Sequence, residues 1–419
     1  MPPQPGSLSI SKGSAYSFTR LRLKRFSLWG GFGNQVESHS LLAFITMASG
    51  QAVAVVVPLQ TAIFGQGPAA AGLLVASFFV ARVVADLFAV LLGDRHPPGR
   101  LLRIGGFSLA LAAIGGALAG SFAQLLVWRM VQGLGVATIL LALMRVLVAK
   151  SRDLDTAQSV SSYQSWQLIG VLSGPLIGGF VADAAGLQSP YWILAVAGGI
   201  VAFGSRPLNV LREATPDLSR HTQKSPLFVR GIGTALVMEF FVFVARAGAQ
   251  LTAIPLLAVG TLGLSPAQVG IALGVSGASH LLSMPLARRV SVRVPRMYSC
   301  VLAVAGMGIA VAAHAYVSSF VHLLIASVAL GAMSSLGFML PAVIVSELAP
   351  VGRESRALGL YRASGSLGSV VGPALIALLL TYQEPAATLG FCGLLLVGAA
   401  PLLILSGRVR PPTRTTPHS

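Results

Sequence analysis

The stretch YQSWQLIGVLSGPLIGG, residues 163–179, returns 198 positions later as YRASGSLGSVVGPALIA, residues 361–377. Tyr163, Gly170, Gly174 and Pro175 fall on Tyr361, Gly368, Gly372 and Pro373. The same offset places Gly65, Pro68 and Gly72 on Gly263, Pro266 and Gly270. It also places Arg95 on Arg293, Ser121 and Phe122 on Ser319 and Phe320, and Gly133 on Gly331. Glycines match by chance in a chain that holds 47 of them. Paired Pro, Tyr and Arg at one offset do not. The chain is two copies of one unit.

Each unit is a set of membrane spans. The chain is 54% hydrophobic and 10% charged, against roughly 25% charge in soluble domains. About twelve apolar stretches run from near Leu41 to near Leu405. Residues 41–64, 72–92, 125–148 and 232–259 each reach the roughly 20 residues a crossing helix needs. The stretch near 192–203 is the shortest. The segments between spans alternate. One set carries 24 of the 29 Lys and Arg residues, and the other set carries none. Arg82, Arg129, Arg145, Arg246 and Arg362 lie within spans. Basic loops stay cytoplasmic during insertion. The expected architecture is therefore an all-α membrane protein with twelve transmembrane helices in two parallel six-helix bundles. The bundles occupy residues 38–205 and 231–407. A basic tail (1–37), a linker (206–230) and a second tail (408–419) lie in the cytoplasm. Parallel halves of this kind are one of the repeat designs of secondary transporters, with the substrate site near mid-membrane between the halves.

Several other classes fail. A net charge of +17 invites a nucleic-acid partner, but the charge is spread over seven segments with few aromatics between them. Topology and attraction to anionic membrane lipid account for it. The first 36 residues hold five basic residues, several Ser and no acid. That composition resembles a transit peptide and lacks the apolar core of a secretory signal. It is read as a basic tail, with residues 20–32 forming an interfacial helix anchored by Phe26 and Trp29. The 25 Arg against 4 Lys suits GC-rich bacterial coding and an inner-membrane location. Cys300 and Cys392 make neither a disulfide framework nor a metal site. The Gly274-Val275-Ser276-Gly277 string has histidines in later spans, but a serine nucleophile needs a positioned base and the repeat has no place in a hydrolase. No phosphate loop is present, so an ion gradient is the expected driving force. No cofactor is implied, and a monomer is expected.

Three motifs resemble those of the major facilitator superfamily, and the resemblance runs from about Leu41 to Leu405. Between spans two and three stand Asp94, Arg95, Gly99 and Arg100. They match the family's gate motif except for two inserted residues and Val90 in place of its first Gly. The resemblance implies that Asp94 pairs across the halves, near the start of span eleven or with Arg296. Span four holds Arg129, Gln132 and Gly133, resembling an Arg-x-x-Gln-Gly motif to which the family gives a role in proton coupling. A structural arginine held by backbone carbonyls is the alternative. A guanidinium inside a bilayer must face the bundle interior with partners. Span five holds Gly170, Gly174, Pro175, Gly178 and Gly179, the signature associated with antiporters. Tyr163, Gln167, Gly170, Gly174 and Gly178 share one helix face, where small residues allow close approach.

The titratable groups within spans are functional candidates. Arg82 and Asp86 stand four apart, which pairs them along the helix, holds Asp86 ionised and makes it the poorer proton carrier. Glu239 stands among Val237, Met238, Phe240 and Phe241. Desolvation there penalises its charged form, which suits a group that takes and releases a proton. A buried acid paired with an arginine is the plainer reading. His280, His314 and His322 are read as core or interface histidines. Gln51, Arg82, Gln167, Arg246 and Arg362 are the substrate-cavity candidates. The resemblance implies a proton-coupled exporter of a small molecule. The arginines within spans leave transport of an anionic metabolite open.

Overall fold

The computed structural model describes residues 38–92, 96–150, 156–204, 231–349 and 354–406. Among these residues every element is helical. The first half holds α1 (Ser38–Phe64), α2 (Ala69–Leu92), α3 (Pro98–Ala117), α4 (Phe122–Lys150), α5 (Thr156–Ala185) and α6 (Ser189–Gly204). The second holds α7 (Ile232–Thr261), α8 (Pro266–Arg293), α9 (Arg296–Tyr316), α10 (Phe320–Leu348), α11 (Glu354–Leu380) and α12 (Pro385–Ser406). Eleven are long and apolar enough to cross a bilayer. The exception is α6, the stretch the sequence marks as shortest. Its 16 described residues reach about 24 Å at 1.5 Å per residue, short of a hydrocarbon core of about 30 Å.

The repeated residues have local duties. Gly65 and Gly263 end α1 and α7 with φ of 65° and 64°, a conformation that a Cβ penalises. Pro68 and Pro266 stand where α2 and α8 begin, and a helix start needs no proline N–H. Ser121 and Ser319 cap α4 and α10, each accepting a hydrogen bond at 3.3 Å, from the Gln124 and His322 amides. Ser265 and Gln268 close a full capping box at α8.

Each half buries its own core. Leu74, Leu109, Leu143 and Tyr191 centre the first, and Met238, Val304, Leu330 and Leu389 the second. Val55 of α1 belongs to the second core, so α1 crosses the division. Glycines set the spacing. A Cβ on Gly133 would strike the Phe78 carbonyl of α2, and one on Gly331 would strike the Ser276 carbonyl of α8. Both pairs stand at the 198-residue offset.

The halves meet through a second symmetric pair. A Cβ on Gly72 of α2 would strike the Pro373 carbonyl of α11 and approach the Ala377 Cβ to 2.7 Å. One on Gly270 of α8 would strike the Pro175 carbonyl of α5 and approach Gly179 Cα to 3.1 Å. These contacts lie toward the end that carries the short loops without Lys or Arg. Along α8, Ala267, Ala272 and Ser276 are buried, whereas Leu282 and Val292 are 82% and 80% exposed.

One helix departs from the regular pattern. In α7 the turns at Val244–Ala253 and Leu257–Thr261 are π-helical. The Thr252 hydroxyl donates to the Ala247 carbonyl five residues back, at 2.8 Å. Pro255 stands between the two segments and offers no N–H to the carbonyl ladder.

Candidate functional site

A narrow cavity lies between the halves at mid-membrane. Gln51 of α1, Leu172 and Pro175 of α5, Arg246 and Gln250 of α7, Ser276 and His280 of α8, and Ser334 and Phe338 of α10 line it. It offers about 40 Å³ to water-sized molecules, room for roughly three waters at ~10–15 Å³ each. Gln250 donates to the Ser276 hydroxyl at 3.2 Å. The Arg246 guanidinium stands 5.2 Å from the Phe338 ring centroid, a cation–π contact. Phe243 and His280 flank the same ring at 5.3 and 5.6 Å.

Of the five cavity candidates, Gln51 and Arg246 line this space. Gln167 turns away and donates to the Tyr163 hydroxyl at 3.0 Å. Arg82 and Arg362, on α2 and α11, do not line the cavity. Arg82 stands within Coulomb reach of Arg246, Arg362 and Asp86, and Asp86 within reach of both Arg82 and Arg362. Asp86 and Arg362 are exposed.

Glu239 is 3% exposed and does not line the cavity. It sits where α7 meets α11. A Cβ on Gly365 would come within 3.2 Å of Glu239 Cγ, and the Ser364 hydroxyl donates to the Leu236 carbonyl at 2.6 Å. Small residues on α11 therefore bring it against the carboxyl. The Tyr361 hydroxyl donates a hydrogen bond to Glu239, whose Oε2 has no partner. No arginine or lysine pairs with Glu239 among the described residues. Tyr361 was not singled out as a site residue in the sequence. Its signal was there: Tyr163 and Tyr361 are one of the repeated pairs.

Arg129 is 4% exposed and close to its own motif partner. Its Nη1 donates to Gln132 Oε1 at 2.5 Å, and the guanidinium stands 4.9 Å from the Phe78 ring centroid. A side-chain amide and an aromatic face hold it, where the sequence offered backbone carbonyls. Gly133, one residue on, lets α4 close on α2.

The glycines of α5 divide their work. Gly170, Gly174 and Gly178 face the carbonyls of Phe44, Ala48 and Ala52 on α1. Gly179 faces Pro266 and Gly270 of α8, in the other half. Of the gate motif, Asp94 and Arg95 lie outside the described residues. Gly99 is buried and Arg100 exposed at the start of α3. Arg296, offered as a partner for Asp94, forms an ion pair with Glu347 of its own half.

Comparisons with known proteins place this geometry. A bacterial homologue of the human lysosomal transporter Spinster, solved inward-facing and occupied, superposes with a TM-score of 0.70 at 15% identity, over 91% of this chain and 98% of that one. The nucleoside transporter NupG superposes with a TM-score of 0.68 at 13% identity, over 89% and 99%. At these identities the likeness is one of fold. A curated relative, the multidrug resistance protein Stp of Mycobacterium tuberculosis, is 30% identical over 130 residues. That match spans 31% of this chain and only 24% of Stp. The model of the Major Facilitator Superfamily matches residues 40–245 and 235–419. A two-half helical bundle with a polar cavity between the halves, matched by that model over nearly its whole length, marks this chain as a transporter of the major facilitator superfamily and not an enzyme.

Proposed function

We propose that this chain exports a small molecule from the cytoplasm in exchange for protons, by alternating access. Glu239 carries the proposal. It is a buried carboxyl with one oxygen on a tyrosine hydroxyl, the other unpartnered, and no basic partner among the described residues. Such a group accepts a proton without breaking an ion pair. It sits at the α7–α11 contact, while Arg246 and Gln250 stand two and three turns along α7 on the cavity. Protonation and occupancy therefore act on one helix, and a transporter couples two ligands only through an element that both bias. Asp86 is the reserve carrier, weakened by Arg82 and Arg362 beside it.

The direction is drawn from the Gly170 to Gly179 signature and from the partial likeness to the multidrug resistance protein Stp. The setting is the inner membrane with both termini cytoplasmic, from the loop charges. In that setting the Gly72 and Gly270 contacts close the two halves on the outer side. Residues 1–37, 206–230 and 408–419 form the cytoplasmic tails and linker, and Asp94 steadies the cytoplasmic closure.

The test uses everted membrane vesicles with an acidic lumen, and ethidium and carboxyfluorescein as probes. The wild type concentrates at least one probe as long as the gradient lasts. Glu239→Gln fixes the neutral form. It loses uphill accumulation but keeps downhill exchange. Undiminished, pH-driven accumulation by that variant would refute the role of Glu239 and make Asp86→Asn the next variant.

A further inference from the structure

Three arginines within the spans are unevenly matched by acid. Arg82, Arg246 and Arg362 come from α2, α7 and α11, and each bears electrostatically on another of the three. The acid in their reach among the described residues is Asp86, which is exposed. Three cations against one anion leave two positive charges in excess. Glu239 lies off the cavity, and His280 adds no negative charge. The cluster repels itself, and Arg82 and Arg246, both partly buried, are screened less than surface charges.

Arg246 is the member that faces the cavity. No ion pair or hydrogen bond engages it among the described residues; its contact is the face of Phe338. Its donors are therefore free for a ligand. The neighbouring hydroxyls are committed: Ser276 accepts from Gln250, and Ser334 donates to the Leu330 carbonyl at 2.6 Å. Arg246 and Gln250 also stand on the π-helical run of α7, and π-helical turns recur at functional sites.

We infer that the transported molecule is a small organic anion, its charged group held by Arg246 in the excess field of Arg82 and Arg362, its apolar part against Phe338. A planar guanidinium matches a carboxylate, phosphate or sulfonate through two parallel hydrogen bonds, and an aromatic face favours a flat apolar body. A cation entering the same space meets an excess of two like charges. This inference rests on the transporter reading of the cavity and names its substrate class.

Four ring compounds of similar size separate charge from shape: benzoate, phenyl phosphate, benzyl alcohol and benzylamine. The readout is the melting temperature of the purified, full-length protein in low-chloride buffer. Benzoate or phenyl phosphate stabilises the wild type at a half-saturating concentration about tenfold or more below that of benzylamine. Arg246→Gln erases the preference, and Arg246→Lys restores part of it. Arg362→Gln, at an exposed position, weakens the anion several-fold without loss of the folded protein. The ranking of benzoate against phenyl phosphate separates a carboxylate substrate from a phosphate one.

Equal or better stabilisation by benzylamine overturns the inference. So does an anion preference that survives Arg246→Gln, and so does the absence of any anion-selective shift. Glu239→Gln keeps the anion preference, so loss of coupling and loss of substrate charge are read separately. If the preference fails while pH-driven export persists, the exporter reading stands without it. If the preference holds while Glu239→Gln still pumps uphill, the proton carrier is elsewhere and the anion site stands.

Discussion

A single methyl group at Gly270 is expected to shift the conformational equilibrium of the whole molecule. Every close neighbour of that position belongs to the other half: the Pro175 carbonyl and Gly179 Cα of α5. At 3.1 Å from Gly179 Cα, with the Pro175 carbonyl nearer still, a Cβ overlaps backbone that has no rotamer to change. Overpacking of this kind costs about 1–3 kcal/mol. A clash inside one rigid half would be charged to both states and would lower stability. This clash exists only while the halves touch at the end with the short loops, so its cost falls on that state alone. A penalty of 1–3 kcal/mol moves a two-state equilibrium by roughly 5- to 150-fold.

The assay is the labelling rate of Gln51→Cys, on the cavity, by an impermeant maleimide added from the side of the short loops that lack Lys and Arg. Cys300 and Cys392 are buried and are replaced by alanine for a clean background. Gly270→Ala should raise the rate by up to the factor above in a protein that remains folded, with stability falling by no more than the same 1–3 kcal/mol. Gly72→Ala, its mate in the repeat, should do the same through Pro373 and Ala377. Unchanged labelling in both folded variants would show that these contacts do not belong to one state only, and the reasoning would fail.

Gly174→Ala strikes the Ala48 carbonyl and Gln51 Cβ, each 2.5 Å away and within the same half, so it should lower the melting temperature by about 1–3 kcal/mol of stability and leave the state ratio alone. Gln132→Leu strips Arg129 of its hydrogen-bond partner inside the protein and should cost about 1–3 kcal/mol or more, read as a drop in melting temperature that Arg129→Met partly reverses in the double variant. Glu347→Gln breaks an ion pair with Arg296 whose partners are 44% and 51% exposed, and it should change stability by less than about 1 kcal/mol in thermal melts. Tyr361→Phe removes the hydroxyl from Glu239 and should slow pH-driven transport while preserving binding of benzoate to the purified protein.

Much of the fold was legible because its constraints repeat. Glycines and serines kept at the 198-residue offset do backbone jobs: Gly65 and Gly263 end helices, Ser121 and Ser319 cap them, and Gly133 and Gly331 seat one helix on another. Side chains cannot vary where a carbonyl fills the space. The candidate site was less legible, because it depends on which helices become neighbours. Spacing along α2 suggested Arg82 with Asp86, but could not announce Arg362 from α11. Nor could it announce Tyr361 beside Glu239. The π-helical run of α7 left only Pro255 as a trace in the sequence.

The chemistry lies where the repeat is broken. At the shared offset Glu239 stands opposite Leu41, Arg246 opposite Ala48, Gln250 opposite Ala52 and Ser276 opposite Phe78. Arg129 and Gln132 stand opposite Ser327 and Leu330, and Gly178 opposite Ile376. The backbone contacts that let two halves rock must agree, since a hinge that closes tightly on one side and loosely on the other would not swing between two packed states. The polar residues are under no such demand. A molecule that binds one substrate and moves one proton needs each group once, in the half where its helix meets the cavity. The second half took the acid, the cavity arginine and the irregular helix. The first half took the buried Arg129–Gln132 pair and the glycine run that grips both α1 and α8. The proposed proton carrier and the proposed substrate arginine thus share α7, seven residues apart on one helix, about 10 Å of rise.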